Sequence, residues 1–140
     1  MAIVASGVMD YHYGVVYTKF EDIPVWQESR QLVSRVYGLI NTNKNIGRDF
    51  ELAGQLKRAT YSVMLNIAEG FERSSNAEFA HFLNIAKGSA GEVRSILYII
   101  EDNLSGLKEP VKPIYNDVLK LSTHIAGFRK FLLTDKSRRK

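Results

Sequence analysis

The feature that most constrains this chain is a pair of long apolar repeats in its second half, each alternating steps of four and three residues. Such spacing places the apolar residues along one face of an α-helix and is typical of helices that pack side by side in bundles. The repeat positions are Phe79, Leu83, Ala86, Ala90, Val93, Leu97, Ile100 and Leu104, followed by Ile114, Val118, Leu121, Ile125, Phe128 and Leu132. The sequence therefore predicts two long, neighbouring helices.

A first helix is predicted over residues 23–41. Asp22 is suitable as its N-cap, and Pro24 falls in the first turn, where proline is tolerated. Trp26 is the single tryptophan and starts the apolar face, so we expect it in the core. The polar segment 41–48, rich in turn-forming residues, then predicts a loop.

A helical hairpin is predicted around residue 72. A helix over 49–69 is expected to end at Gly70, because glycine adopts the left-handed conformation of many helix ends at little cost. Ser75 and Glu78 then form the S-x-x-E pattern of a capping box, which starts a helix over 76–104.

Small and polar residues on these two helices carry further expectations. Gly88 and Gly91 lie inside the third helix, where we expect Ala59 to face residues 86–90, so that small residues on both helices allow a close approach of the two backbones. A polar stripe runs beside the apolar face of the second helix. It comprises Gln55, Arg58, Ser62, Asn66 and Glu69. Either this stripe faces solvent, or it forms a buried network between helices or subunits.

The fold class that follows is all-α: an antiparallel up-and-down four-helix bundle. Its fourth helix is predicted over 111–133, starting at Pro110 or Pro113. The predicted organisation is an N-terminal extension at 1–19, a bundle domain at 20–133 and a basic C-terminal tail at 134–140.

Several strings resemble the 23S rRNA intervening-sequence protein family, whose members are also called S23-type four-helix bundle proteins. They are N-I-A-E-G from Asn66, R-S-S from Arg73, E-F at Glu78 and F-L-N-I-A-K-G-S from Phe82. The similarity extends upstream through F-E-D-I, V-W-Q and Q-L-K-R-A, and covers roughly residues 18–133.

This resemblance implies a bundle that assembles into a homo-oligomeric ring of five subunits, sometimes encoded within insertions in large-subunit rRNA genes. It also relates the chain to the accessory variability proteins of diversity-generating retroelements, which partner a reverse transcriptase and bind nucleic acid. The expected partners are therefore other copies of the chain, RNA or DNA, and a reverse transcriptase. A structural or protein-interaction scaffold without intrinsic RNA specificity is the alternative.

Composition bounds the remaining choices. A chain of 140 residues suits one domain, and the absence of cysteine fits the reducing cytoplasm, where we place the protein. No apolar run approaches the roughly 18 residues of a membrane span. The net charge of +4 is concentrated from Arg129 onward, where six basic residues face one acidic residue, against 13 basic and 14 acidic residues before it.

Candidate nucleic-acid-binding residues are the basic side chains of the bundle and of the tail. They are Lys57, Arg58, Arg73, Lys87, Arg94, Arg129, Lys130, Arg138 and Arg139. A second set is expected to hold the hairpin together as a structural network. It comprises Asn66, Glu69, Gly70, Ser75, Glu78, Ser89 and Glu92.

The sequence offers no catalytic constellation. His12, His81 and His124 fall in different predicted segments, and no metal-binding or nucleophile motif occurs. Glu69 and Arg73 are expected to form a structural ion pair rather than an acid–base couple. We therefore expect a protein that is not an enzyme and that needs no cofactor or metal.

Overall fold

The computed structural model describes residues 3–5 and 15–134, and its body is helical. The helices are α1 (Pro24–Thr42), α2 (Lys44–Arg48), α3 (Phe50–Phe71), α4 (Asn76–Asn103) and α5 (Lys108–Thr134). A single 3-10 turn, Phe20–Asp22, precedes α1. Within the extension, strands β1 (Ile3–Ala5) and β2 (Val15–Tyr17) pair antiparallel, with Val4 opposite Val16. The predicted all-α class is confirmed for the body, and the extension adds this short β-pair.

The four long helices pack in a closed order, in which each contacts two of the others: α3 contacts α4, α4 contacts α5, and α1 contacts both α3 and α5. Across α1 and α5, Arg35 meets Asp117 and Glu28 meets His124. The paired residues have rising numbers in α1 and falling numbers in α5, so these two helices run in opposite directions. No helix in the described part of the chain is both long enough and apolar enough to cross a membrane.

Both apolar repeats lie in the core as predicted. Every repeat position from Phe79 to Leu132 is buried except Leu104, which is half-buried where α4 ends. Phe79 is fully buried and meets the rings of Phe71 and Phe128 edge-on, at centroid distances of 6.2 and 5.5 Å. Trp26 is 7% exposed, as expected of a core residue.

Gly70 does not end the helix, so that prediction is wrong. Helix α3 continues to Phe71, and the only glycine with a positive φ in the described ranges is Gly106, between α4 and α5. A Cβ on Gly70 would lie 2.8 Å from the Phe82 Cβ and 2.9 Å from the Phe79 Cδ1. Gly70 is therefore required by the close approach of α3 to α4, not by the backbone conformation of a helix end.

Gly88 and Gly91 do not have the role expected of them. A Cβ on either residue would meet no atom within 4 Å outside its own helical backbone, so neither is needed for close approach within the monomer. Among the glycines of α3 and α4, an added Cβ comes within 3.0 Å of neighbouring atoms at Gly70, near the turn.

Two boundary predictions also need correction. The segment 41–48 contains the short helix α2, which is held by the fully buried side chain of Ile46. Helix α5 begins at Lys108, so Pro113 lies inside it rather than at its start. Pro110 fits because backbone N–H groups in the first turn have no partner within the helix.

Candidate nucleic-acid interface

The first two candidate cations lie on α3. The Lys57 ammonium sits over the ring of Tyr37 on α1, 5.0 Å from its centroid. Tyr37 in turn stacks with Tyr61 at a centroid distance of 6.4 Å, and their hydroxyl groups are hydrogen-bonded. Arg58 is exposed, with its guanidinium beside Gly54. Lys57 is thus engaged in an aromatic contact between helices, whereas Arg58 faces solvent.

Arg73 lies in the turn between α3 and α4. Its Nη2 is 2.6 Å from a carboxylate oxygen of Glu69, and its guanidinium covers the Phe82 ring at 4.7 Å. Both partners of this ion pair are about half exposed. The pairing expected of Glu69 and Arg73 is therefore present, and Arg73 also shields an apolar ring.

The remaining candidates are spread along α4 and α5. Lys87 and Lys130 are exposed, whereas Arg129 is half-buried and donates from Nε to the carbonyl oxygen of Ala80 at 3.2 Å. Arg138 and Arg139 lie outside the described residues. The structure therefore does not bring the candidate cations of the bundle together in one strip.

Arg94 belongs to a cluster that includes residues missing from our candidate set. Its guanidinium lies 5.8 Å from the ring centroid of Tyr115, which meets Tyr98 edge-on at 5.2 Å. Hydrogen bonds from Tyr98 and then from Arg94 lower the pKa of Tyr115 below the ordinary 10.0, because they stabilise its phenolate. The same hydrogen bond with Tyr115, together with some burial, raises the pKa of Tyr98.

Lys108 and Lys112 lie next to this tyrosine pair, beside Glu101. The sequence does contain a sign of the cluster. On each side of the turn, the residues of the cluster have the spacing of one helix face. They are residues 94, 98 and 101 before the turn and residues 108, 112 and 115 after it. A search for polar and aromatic residues at this spacing on both sides of a turn would have found it.

Part of the expected structural network exists between α3 and α4. The Ser62 and Ser89 hydroxyl groups are 2.7 Å apart, and the Asn66 side chain donates to the Ser62 carbonyl oxygen at 2.7 Å. Within the polar stripe, Ser62 and Asn66 are half-buried, whereas Gln55, Arg58 and Glu69 are exposed. The stripe is therefore divided between the two alternatives, a network between helices and a solvated surface.

The N-cap of α4 is also present. Ser75 Oγ accepts from the Glu78 backbone N–H at 3.2 Å, and the Glu78 carboxylate accepts from the hydroxyl groups of Ser74 and Ser75.

Glu92 is exposed and lines a groove between α3 and α4 with Gln55 and several apolar side chains.

His81 and His124 do not converge on a site, and His12 lies outside the described residues. His81 is exposed on α4 and meets the Phe82 ring. His124 is buried on α5, where its Nδ1 lies 2.7 Å from a carboxylate oxygen of Glu28 on α1. Residues 3–5 and 15–134 contain no group of three His, Asp or Glu side chains that could hold a metal ion.

Fold and surface together define a helical protein whose outer faces carry cations and paired tyrosines. The family model of the 23S rRNA-intervening sequence protein matches residues 21–127, and the chain belongs to this family. The similarity noted in the sequence is thereby confirmed.

A solved structure gives the same assignment. It is a protein with unknown function from the S23 ribosomal protein family of Bacteroides thetaiotaomicron VPI-5482. It shares 25% sequence identity with this chain and superposes with a TM-score of 0.69, over 76% of this chain and 98% of its own length. No curated protein matches the sequence.

Proposed function

We propose that this protein is a non-enzymatic, homo-oligomeric helical bundle of the cytoplasm that associates with RNA. The observation that carries the proposal is the match to the 23S rRNA-intervening sequence protein family over residues 21–127. The distribution of cations along the outer faces of α3, α4 and α5 is consistent with contacts to a phosphate backbone.

The proposed architecture is an antiparallel up-and-down four-helix bundle that assembles into a ring of five subunits. Support for the bundle comes from the closed packing order of α1, α3, α4 and α5. Support for assembly comes from large apolar side chains exposed on α3 and α4, including Phe50 at 86% and Leu65 at 62%, with Ile85 and Ile99. Apolar side chains left in water on neighbouring helices favour burial against another subunit.

Multi-angle light scattering tests the assembly. A pentamer of the 15.9 kDa chain has a mass near 80 kDa, and we expect this mass at micromolar concentration. Leu65→Ser together with Ile85→Ser is expected to shift the mass toward that of the monomer, whereas Lys87→Ser, on the same helix as Ile85, leaves it unchanged. A wild-type mass of one chain would refute the proposed assembly.

The proposed RNA contacts come from the bundle surface assisted by the basic tail. The tail supplies charge, while five copies of a weakly binding surface gain affinity through effective concentration. If the tail engages roughly five phosphates of a single strand, the log–log salt slope is about −3 to −4 per subunit.

A filter-binding titration separates the two sources of affinity. Removal of residues 134–140 is expected to reduce both the affinity and the salt slope, and Arg73→Ala is expected to weaken the binding that remains. Absence of salt-sensitive binding by the full chain, the truncation and Arg73→Ala would refute RNA association. That outcome would favour the alternative function, an interaction scaffold such as an accessory partner of a reverse transcriptase. The exposed apolar residues of α3 and α4 support that alternative as well.

A further inference from the structure

The end of α4 and the start of α5 enclose a small cavity next to the turn that joins them. This α4–α5 groove, of about 220 Å³, is lined by Tyr98, Glu101, Lys108, Lys112 and Tyr115, with two apolar residues at its base. Pockets for drug-sized ligands occupy roughly 300–1,000 Å³, so this groove suits a single ring or a small anion.

The two tyrosines of the groove differ in their freedom to bind a ligand. Tyr115 is half-buried and is contacted by both Arg94 and Tyr98. Tyr98 is 49% exposed, so part of its ring is open to solvent. A half-exposed tyrosine at the mouth of a groove offers a planar surface on which a nucleobase can stack, whatever its sequence.

The charges around Tyr98 favour a phosphate beside that base. Lys108 and Lys112 are exposed on α5, and the Nε of Arg94 is buried without a hydrogen-bond partner in the described part of the chain. Two cations, Lys108 and Lys112, thus line the groove against Glu101 as its one carboxylate, and Arg94 lies beside Tyr115. Glu101 opposes a phosphate next to it, but its carboxylate can accept hydrogen bonds from the amino group of a base.

We propose that the α4–α5 groove binds one nucleotide of a single-stranded RNA, with the base stacked on Tyr98 and the flanking phosphates held by Lys108 and Lys112. This inference rests on the proposed function, because it assigns the RNA contact to particular residues. Bases in a duplex are stacked on one another and cannot reach the Tyr98 ring. The groove therefore selects single strands over duplexes.

The tyrosine pair on α1 and α3 supplies a matched control. Tyr37 is 39% exposed, close to the exposure of Tyr98, and likewise pairs with a second tyrosine and a nearby cation. Neither Tyr37 nor Tyr61 lines the α4–α5 groove. Substitution of Tyr37 thus removes a similar aromatic surface without touching the groove.

Fluorescence anisotropy with a labelled single strand of about 10 nucleotides tests the proposal, using the full chain. We expect Tyr98→Ala to weaken binding roughly 5- to 150-fold, the range for loss of one base–aromatic stack. Tyr98→Phe keeps the ring and is expected to bind more tightly than Tyr98→Ala, and Tyr37→Ala is expected to bind like the wild type. Lys112→Gln is expected to reduce the salt slope by about 0.7, the value for one phosphate of a single strand.

The outcomes distinguish this proposal from the broader one. If the wild type binds RNA but Tyr98→Ala binds it no more weakly than Tyr37→Ala does, the groove is not the site and RNA association stands. The same conclusion follows if Tyr98→Ala weakens binding to a duplex as much as binding to the single strand. If the wild type shows no salt-sensitive RNA binding, both proposals fail. Circular dichroism of each variant confirms that a loss of affinity does not reflect unfolding.

Discussion

The two ends of α4 differ in how deeply their aromatic side chains are buried. At its start, Gly70 lets the backbone of α3 approach Phe79 and Phe82, and the fully buried Phe79 ring meets the rings of Phe71 and Phe128. At its end, α4 and α5 leave a groove in which Tyr98 is half exposed beside lysine side chains. Phe71 and Phe79 at the first end are buried in the core, whereas Tyr98 at the second end is half exposed to solvent.

The largest expected effect tests this contrast with one kind of substitution at each end. Phe79→Ala removes a fully buried ring and is expected to cost roughly 3–5 kcal/mol of unfolding free energy. Tyr98→Ala removes a half-exposed ring with one aromatic neighbour and is expected to cost about 1 kcal/mol. Urea denaturation at a fixed protein concentration measures both. Equal costs would mean that the two ends do not differ in this way.

A pair of glycine substitutions gives the next largest effect. Gly70→Ala forces α3 away from Phe79 and Phe82 and is expected to destabilise the protein by about 1–3 kcal/mol, the cost of overpacking a core. Gly88→Ala meets no atom within 4 Å and is expected to stabilise it by up to about 1 kcal/mol, through helix propensity. Thermal unfolding of the two variants should shift in opposite directions. A stabilising Gly70→Ala would show that the contact at the turn is not tight.

Alkaline titration compares the two tyrosine pairs. Hydrogen bonds from Tyr98 and Arg94 lower the pKa of Tyr115, whereas the hydrogen bond with Tyr37 is the main reason that the pKa of Tyr61 is raised. Ultraviolet absorbance of the phenolate should therefore show Tyr115 ionising before Tyr61. Arg94→Gln is expected to raise the pKa of Tyr115 and to leave that of Tyr61 unchanged.

The consequences for stability have opposite signs. Because the folded pKa of Tyr115 lies below the ordinary 10.0, its contribution is complete only above that value and is lost as the pH falls through the folded pKa. The folded pKa of Tyr61 is raised, so its contribution is present below 10.0 and is lost as the pH rises through the folded pKa. Across this alkaline range, the unfolding free energy lost in Tyr115→Phe relative to the wild type should grow as the pH rises, whereas the loss in Tyr61→Phe should shrink. Differences that follow the same course in both variants would contradict the assignment.

The smallest expected effect concerns the turn beside Gly70. Glu69→Gln breaks a half-exposed ion pair and is expected to cost no more than about 0.5 kcal/mol. Arg73→Ala also uncovers the Phe82 ring, a cation–π contact worth about 0.5–1 kcal/mol at an exposed site, and is expected to cost more. Denaturant midpoints of the two variants decide whether Arg73 acts through its charge or through its contact with the ring.

Local sequence determined the number of long helices and the faces they bury. Spacing by four and three residues aligns apolar side chains on one helical face, and burial of that face follows for every repeat position except Leu104. The cap of α4 was also predictable, because Ser75 and Glu78 interact within a single turn. The family assignment followed from strings around the same turn.

Only the tertiary structure decided which glycine is confined and where a groove opens. The role of Gly70 depends on the distance between two helices at one level, and a periodic pattern does not contain that distance. The same holds for the α4–α5 groove, since the facing of Tyr98 and Tyr115 depends on how the turn at Gly106 sets one helix against the other. Periodicity fixes which face of a helix is buried, but the register between helices depends on the packing of all their side chains together.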